Sequence, residues 1–164
     1  MSAAARISEE NLLELRALAV SVAQEAGGVL ADRAGQVEVA ATKSSPTDVV
    51  TEMDRRSEEL IRSRILAARP ADAILGEEGG LIGNADDAPV LWVIDPLDGT
   101  VNYLYGLHDW AVSVAAEVSG EIVAGAVYVP VRGELFSAVK GGGAVLASAD
   151  GESKLHCKIG RAHV

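Results

Sequence analysis

The chain contains a single cysteine, Cys157, among 164 residues, so no internal disulfide framework can form and a reducing compartment suits it. Positive charge is also scarce: 14 Lys and Arg stand against 24 Asp and Glu, for a formal net charge of -10. No basic face can be assembled from so few scattered cations, which argues against a nucleic-acid partner. An acidic chain that binds a phosphate needs cations at the site, and a metal ion would supply them. No apolar run approaches the roughly 18 residues of a membrane span, so no membrane contact is expected. The opening stretch MSAAARISEENLLELRALAV carries acids where a signal peptide would have its apolar segment, and a cytoplasmic protein is expected. The three histidines, His108, His156 and His163, lack ligand spacing and leave no zinc cluster. There is no internal repeat.

Apolar residues make up 49% of the chain, enough for one globular core, and a single domain is expected. Ser8 can cap a first helix with Glu9 and Glu10 in its first turn. Leu12, Leu15, Ala19, Val22, Ala26 and Val29 follow at helical spacing and should face the core. Residues 36–40 read as a short strand and TKSSPTD as a loop. Thr51 is expected to open a second helix, with Asp54 completing a capping box, Met53, Leu60, Ile61 and Ile65 on the apolar side, and Pro70 closing it. AILGEEGG reads as a brief strand ending in two glutamates, and DDAP as a turn. VLWVI reads as a strand buried on both faces. WAVSVAAEV, EIVAGAVYV and GELFSAV, separated by turn signals, read as an antiparallel meander. Two long helices and about six strands predict a layered α+β domain.

The stretch WVIDPLDGTVN concentrates the chemistry. An apolar strand ends in Asp95 and Asp98. An unpartnered buried carboxylate is very unfavourable, so each needs a cation, a set of backbone N–H groups, or a metal. A proline-containing turn with locally bonded aspartates would satisfy the second of these. Glu77 and Glu78, however, end another apolar strand, and Asp54 lies near a helix start. Carboxylates delivered to several element ends suit a hard, oxygen-seeking cation such as Mg²⁺. The DGT triplet also occurs in haloacid-dehalogenase-type phosphatases, but their nucleophilic aspartate would fall at Pro96, which excludes that chemistry.

WVIDPLDGTVNY resembles the central motif of the inositol monophosphatase family of metal-dependent phosphatases. GEEGG is similar to its G-E-E segment, and KSSPTDVVTEMD to its N-terminal K-x-x-x-x-D-x-V-T-x-x-D segment. GAVYVPVRGELFSAVKGGGA resembles the strands that follow. The likeness covers roughly residues 8–147, with three motifs in order. It implies hydrolysis of a small sugar or cyclitol phosphate by metal-activated water, with Mg²⁺ as cofactor. Glu77, Asp95, Asp98 and the Leu97 carbonyl would bind the metal. Gly99 and Thr100 would offer backbone N–H groups to the phosphate, with Glu77, Leu97 and Asp98 also lining the substrate position. Asp54, Glu77 and Thr100 would serve catalysis, Asp54 and Thr100 by helping to orient the attacking water, and Lys43 would be a balancing cation. Other substrates of the same kind remain open, namely fructose 1,6-bisphosphate, histidinol phosphate or an adenosine bisphosphate, as does a non-catalytic metal-binding remnant of the fold. Bland roles stand beside these: Asp54 as a helix cap, Glu78 as a solvated neighbour, Lys43 as a surface residue, Trp92 and Trp110 as core, His108 as loop.

Family members are longer, and their second part carries another metal-binding aspartate in a W-D-x-A-A-G motif that this chain lacks. Residues 1–157 would therefore be the N-terminal portion of an α-β-α-β-α sandwich. An apolar face would stand open, activity would be weak or absent, and association is expected. The resemblance implies a homodimer for a full-length chain. Residues 158–164, KIGRAHV, are expected to be a non-native tail encoded by a sequencing-library adapter, with a genuine short tail as the alternative; resequencing the gene decides it.

Overall fold

The structure, a computed structural model, describes residues 7–34 and 46–156, with the backbone alone for residues 46–51. Helix α1 spans Glu9–Ala34. Ser8 caps it: the Asn11 N–H donates to the Ser8 hydroxyl at 3.2 Å, satisfying one of the orphan first-turn donors. Leu15, Ala19, Val22 and Ala26 are buried, and Leu12 and Val29 pack against the core beside them, as the helical spacing requires.

Helix α2 spans Pro46–Ala68, five residues earlier than Thr51. Proline at the first helical position, with its φ already helical and no N–H to lose, starts the helix inside the expected loop. Thr51 is therefore an interior residue, and Asp54 lies two turns in, where a carboxyl has no free helix N–H groups to cap. The helix ends just before Pro70, as expected. Residues 36–40, Lys43 and the 158–164 tail lie outside the described residues.

Among the described residues eight strands follow, more than the sequence suggests there: β1 Ala73–Gly76, β2 Gly80–Ile82, β3 Leu91–Asp98, β4 Ala111–Val118, β5 Glu121–Val129, β6 Glu134–Val139, β7 Gly143–Ser148 and β8 Gly151–Leu155. A five-residue helix α3, Thr100–Leu104, leaves the end of β3. The strands form one sheet in the order β2-β1-β3-β4-β5-β6-β7-β8. Among the described strands only β1 and β3 run parallel, joined by a connection that contains the β2 hairpin arm; β4 to β6 are the expected antiparallel meander, which β3 precedes and β7 and β8 extend.

Both long helices lie on one face of the sheet, α1 over β4, β5 and β6 and α2 against α1 and β3. Under them, paired residues form a continuous apolar layer: Ile74, Trp92 and Ala116, then Ile94, Val114 and Ala126. Burying a side chain of Trp92's size contributes on the order of 2–3 kcal/mol. Its indole N–H is not left bare, but donates to Asp72 at 2.9 Å, and Arg69 neutralises that aspartate. Tyr103 packs edge-on against Trp110, with ring centroids 5.0 Å apart, and donates its hydroxyl to the Leu30 carbonyl. The opposite sheet face has no covering layer among the described residues. Leu91 and Val93 are therefore half-buried, and β3 is not enclosed on both sides as its apolar run suggested.

Candidate active site

Three chain segments meet at the carboxyl ends of the parallel strands β1 and β3. The first is the end of β3. Its register slips between Asp95 and Asp98, a bulge that inserts Pro96 and Leu97 into the core and leaves Asp95 half-buried and Asp98 exposed. The Leu97 N–H donates to Asp95 Oδ1 at 3.2 Å. The chain then turns through Gly99 at φ 83°, a left-handed conformation that a side chain resists. A Cβ at Gly99 would also lie 2.7 Å from the Asp109 carbonyl oxygen. Thr100 opens α3, and its hydroxyl donates to the Leu97 carbonyl at 3.0 Å. The carbonyl expected to bind metal is thus held in place by the threonine expected to orient water.

The second segment is the β1–β2 hairpin turn, Glu77–Gly79, which leaves Glu77 and Glu78 exposed at its tip. The third is the inward stripe of α2, where Asp54, Ser57 and Glu58 are all buried. Asp54 is 5% exposed, and its Oδ1 has no hydrogen-bond partner among the described residues. Burial first, then the negative charges of Glu78, Glu77, Asp95 and Glu58, push the Asp54 carboxyl up to about 7. Asp95 is raised too, chiefly by burial and by Glu77. Five carboxylates on three segments therefore act on one another, and a buried acceptor among them is left unsatisfied. That combination fits a bound cation, which would supply the missing partner and relieve the repulsion. Among the described residues, no three acidic, histidine or cysteine side chains already stand as a closed ligand set.

The structure brings Asp54, Glu77, Asp95, Leu97, Asp98, Gly99 and Thr100 to this one end of the sheet. It buries Trp92 and Trp110 in the core and leaves His108 exposed in a loop. Ser57, Glu58 and Arg62 were not anticipated. Ser57 donates to the Pro96 carbonyl at 2.9 Å, pinning the bulge between the two aspartates. Their signal was available: polar residues at positions 54, 57, 58 and 62 share the helical face of Met53, Ile61 and Ile65, where apolar residues belong.

Residues 11–160 match the sequence model of the inositol monophosphatase family. The inositol-1-monophosphatase of Mycobacterium leprae is 43% identical over 159 residues, covering 88% of this chain and 54% of that protein. The Nus factor SuhB of Pseudomonas aeruginosa is 40% identical over 131 residues, covering 79% of this chain and 48% of its own. Among solved structures, Mycobacterium tuberculosis SuhB superposes with a TM-score of 0.74 at 38% identity, over 89% of this chain and 52% of that one. The inositol monophosphatase of Anabaena superposes at 0.71 with 34% identity, over 83% and 48%. The chain spans about half the length of the curated relatives it matches and belongs to the inositol monophosphatase family.

Proposed function

We propose that this chain carries the metal- and phosphate-binding half of a Mg²⁺-dependent phosphomonoesterase acting on a small cyclitol or sugar phosphate of the inositol monophosphate type. The observation that carries the reading is the buried, unpartnered Oδ1 of Asp54 facing the carboxylates of Glu77 and Asp95. Glu77, Asp95, Asp98 and the Leu97 carbonyl would hold the metal, with Glu77 and Asp98 exposed at the rim where a ligand can be reached. Bound there, Mg²⁺ would lower the pKa of a water and neutralise phosphoryl oxygens.

The chain's own residues do the rest. Asp54, buried on α2 with an unpartnered Oδ1 among the described residues, would orient the attacking water. Thr100, its hydroxyl anchored on the Leu97 carbonyl, would hold its oxygen toward that water. Gly99, lacking a Cβ, lets the turn close against the Asp109 carbonyl, and the N–H groups of Gly99 and Thr100 would be offered to the phosphate. Helix α3 has only five residues, so these local donors rather than a helix dipole carry the anion contact. No covalent enzyme intermediate is required.

Phosphate release from inositol 1-phosphate, with and without Mg²⁺, tests the reading. Mg²⁺-dependent release that falls more than about 100-fold in Asp95→Asn supports it. Two relatives are named Nus factor SuhB rather than as phosphatases, which favours one second reading, a non-catalytic protein of the same fold. Release that is absent in the folded chain and in a chain extended to the relatives' full length would support that second reading.

A further inference from the structure

We propose that Glu58 and Arg62 are positioning residues that grip the turn after β1 and thereby fix where the Glu77 carboxylate stands; the proposal rests on the role given to Glu77 above. Glu58 lies one helical turn after Asp54 on α2 and is 2% exposed. Its two carboxylate oxygens accept from consecutive turn amides. The Glu78 N–H donates to Oε2 at 2.9 Å, and the Gly79 N–H donates to Oε1 at 2.9 Å. Arg62, one turn further on, pairs with Glu58 Oε1 at 2.6 Å and donates from Nη2 to the Gly80 carbonyl at 3.1 Å. An i, i+4 pair on one helix thus holds two donors and one acceptor of a single turn.

The turn is shaped to receive this grip. A Cβ on Gly76 would lie 2.7 Å from the Glu58 carboxyl carbon, and one on Gly79 would lie 2.2 Å from Arg62 Nη1. Glycine at both places lets the carboxylate and the guanidinium come against the backbone. Arg62 Nε is buried without a partner among the described residues, so its Nη2 contacts, not full satisfaction of the side chain, fix its orientation. Glu58 does not act on the reaction directly. Its bonds end at Glu78 and Gly79, the residues that immediately follow Glu77, and so act on Glu77 through the backbone.

Two measurements on the whole chain test the proposal: amide hydrogen exchange, and affinity for Mn²⁺ as a paramagnetic probe. The variants are Glu58→Gln, the double variant Glu58→Gln with Arg62→Met, and Gly76→Ala, which crowds the carboxylate while leaving every charge in place. The double variant leaves no unpaired buried charge and serves if Glu58→Gln alone does not fold. The expected result is exchange at least about tenfold faster at Glu78 and Gly79 than in wild type, with helix amides unchanged, and Mn²⁺ affinity about 10–100-fold weaker. Unchanged exchange at these two amides overturns the proposal. So does faster exchange spread evenly over the chain with a lowered Tm, which is a merely structural staple, and so does a loosened turn with undiminished Mn²⁺ affinity. Asp95→Asn separates the underlying reading. If it binds Mn²⁺ as wild type does, the metal site itself is wrong, and the exchange at Glu78 and Gly79 still decides whether the turn is gripped.

Discussion

Asp54 is a group whose usefulness and whose effect on stability pull in opposite directions. Its carboxyl is raised in the folded chain to about 7, from an ordinary value of 3.8. A carboxyl held above its unfolded value binds more protons folded than unfolded, so stability is fully present below about pH 4 and is lost as pH rises through about 7. Asp95, raised as well, adds to the same slope. The expected outcome is a Tm of the metal-free chain that falls between pH 5 and pH 8. Asp54→Asn, which removes the titration, should flatten this fall, with a difference of up to about 4 kcal/mol between the two chains at pH 8. Thermal unfolding of both proteins across that range checks it. A cation offsets the same repulsion, so Mg²⁺ should raise Tm more at pH 8 than at pH 5. A wild-type Tm that rises from pH 5 to pH 8 in step with Asp54→Asn would contradict the assignment.

The β3–α3 turn shows how two elements share one residue. Gly99 adopts φ 83°, and its missing Cβ makes room for the Asp109 carbonyl at 2.7 Å. Gly99→Ala should therefore cost about 1–3 kcal/mol by chemical denaturation and displace the Thr100 hydroxyl from Leu97. Ser57→Ala removes the buried bond from α2 to the Pro96 carbonyl and should cost a further 1–3 kcal/mol, roughly, as its own measurement. These elements were unequally legible. The motif residues 95–100 and the core face of α1 announce themselves through charge at a strand end and through helical spacing. The start of α2 does not, because Pro46 satisfies both loop and first-turn preferences. Strands β7 and β8 were missed because GGGAVLASADGESKL has little apolar alternation. The reason is visible in the sheet, where β8 is exposed along its whole length. Glu58 and Arg62 were missed because a pairwise grip on backbone amides across 20 residues leaves no local pattern beyond misplaced polarity on an apolar face.

At the scale of the whole molecule, one sheet face is covered by two helices and the other by nothing among the described residues. The open face is a shallow apolar depression of about 400 Å³ along β4, β5 and β6, floored by Ala115, Gly125, Val127, Phe136 and Ala138. Val127 and Ile122 are large aliphatic side chains left 37% and 52% exposed there. Contiguous apolar surface of this kind drives association when no other layer covers it. The curated relatives are about twice as long, and their additional chain is long enough to supply such a layer. The 164-residue chain should therefore self-associate through this face, and sedimentation velocity should give a mass that rises with concentration. Ile122→Lys with Val127→Lys places two charges on the face without touching the core. Substitutions at exposed positions usually change stability by no more than about 0.5 kcal/mol each, so Tm should hold while the monomer becomes the main species. Association that persists in the doubly substituted chain would move the contact elsewhere, and a wild-type chain that stays monomeric at every concentration would remove the open face as its cause.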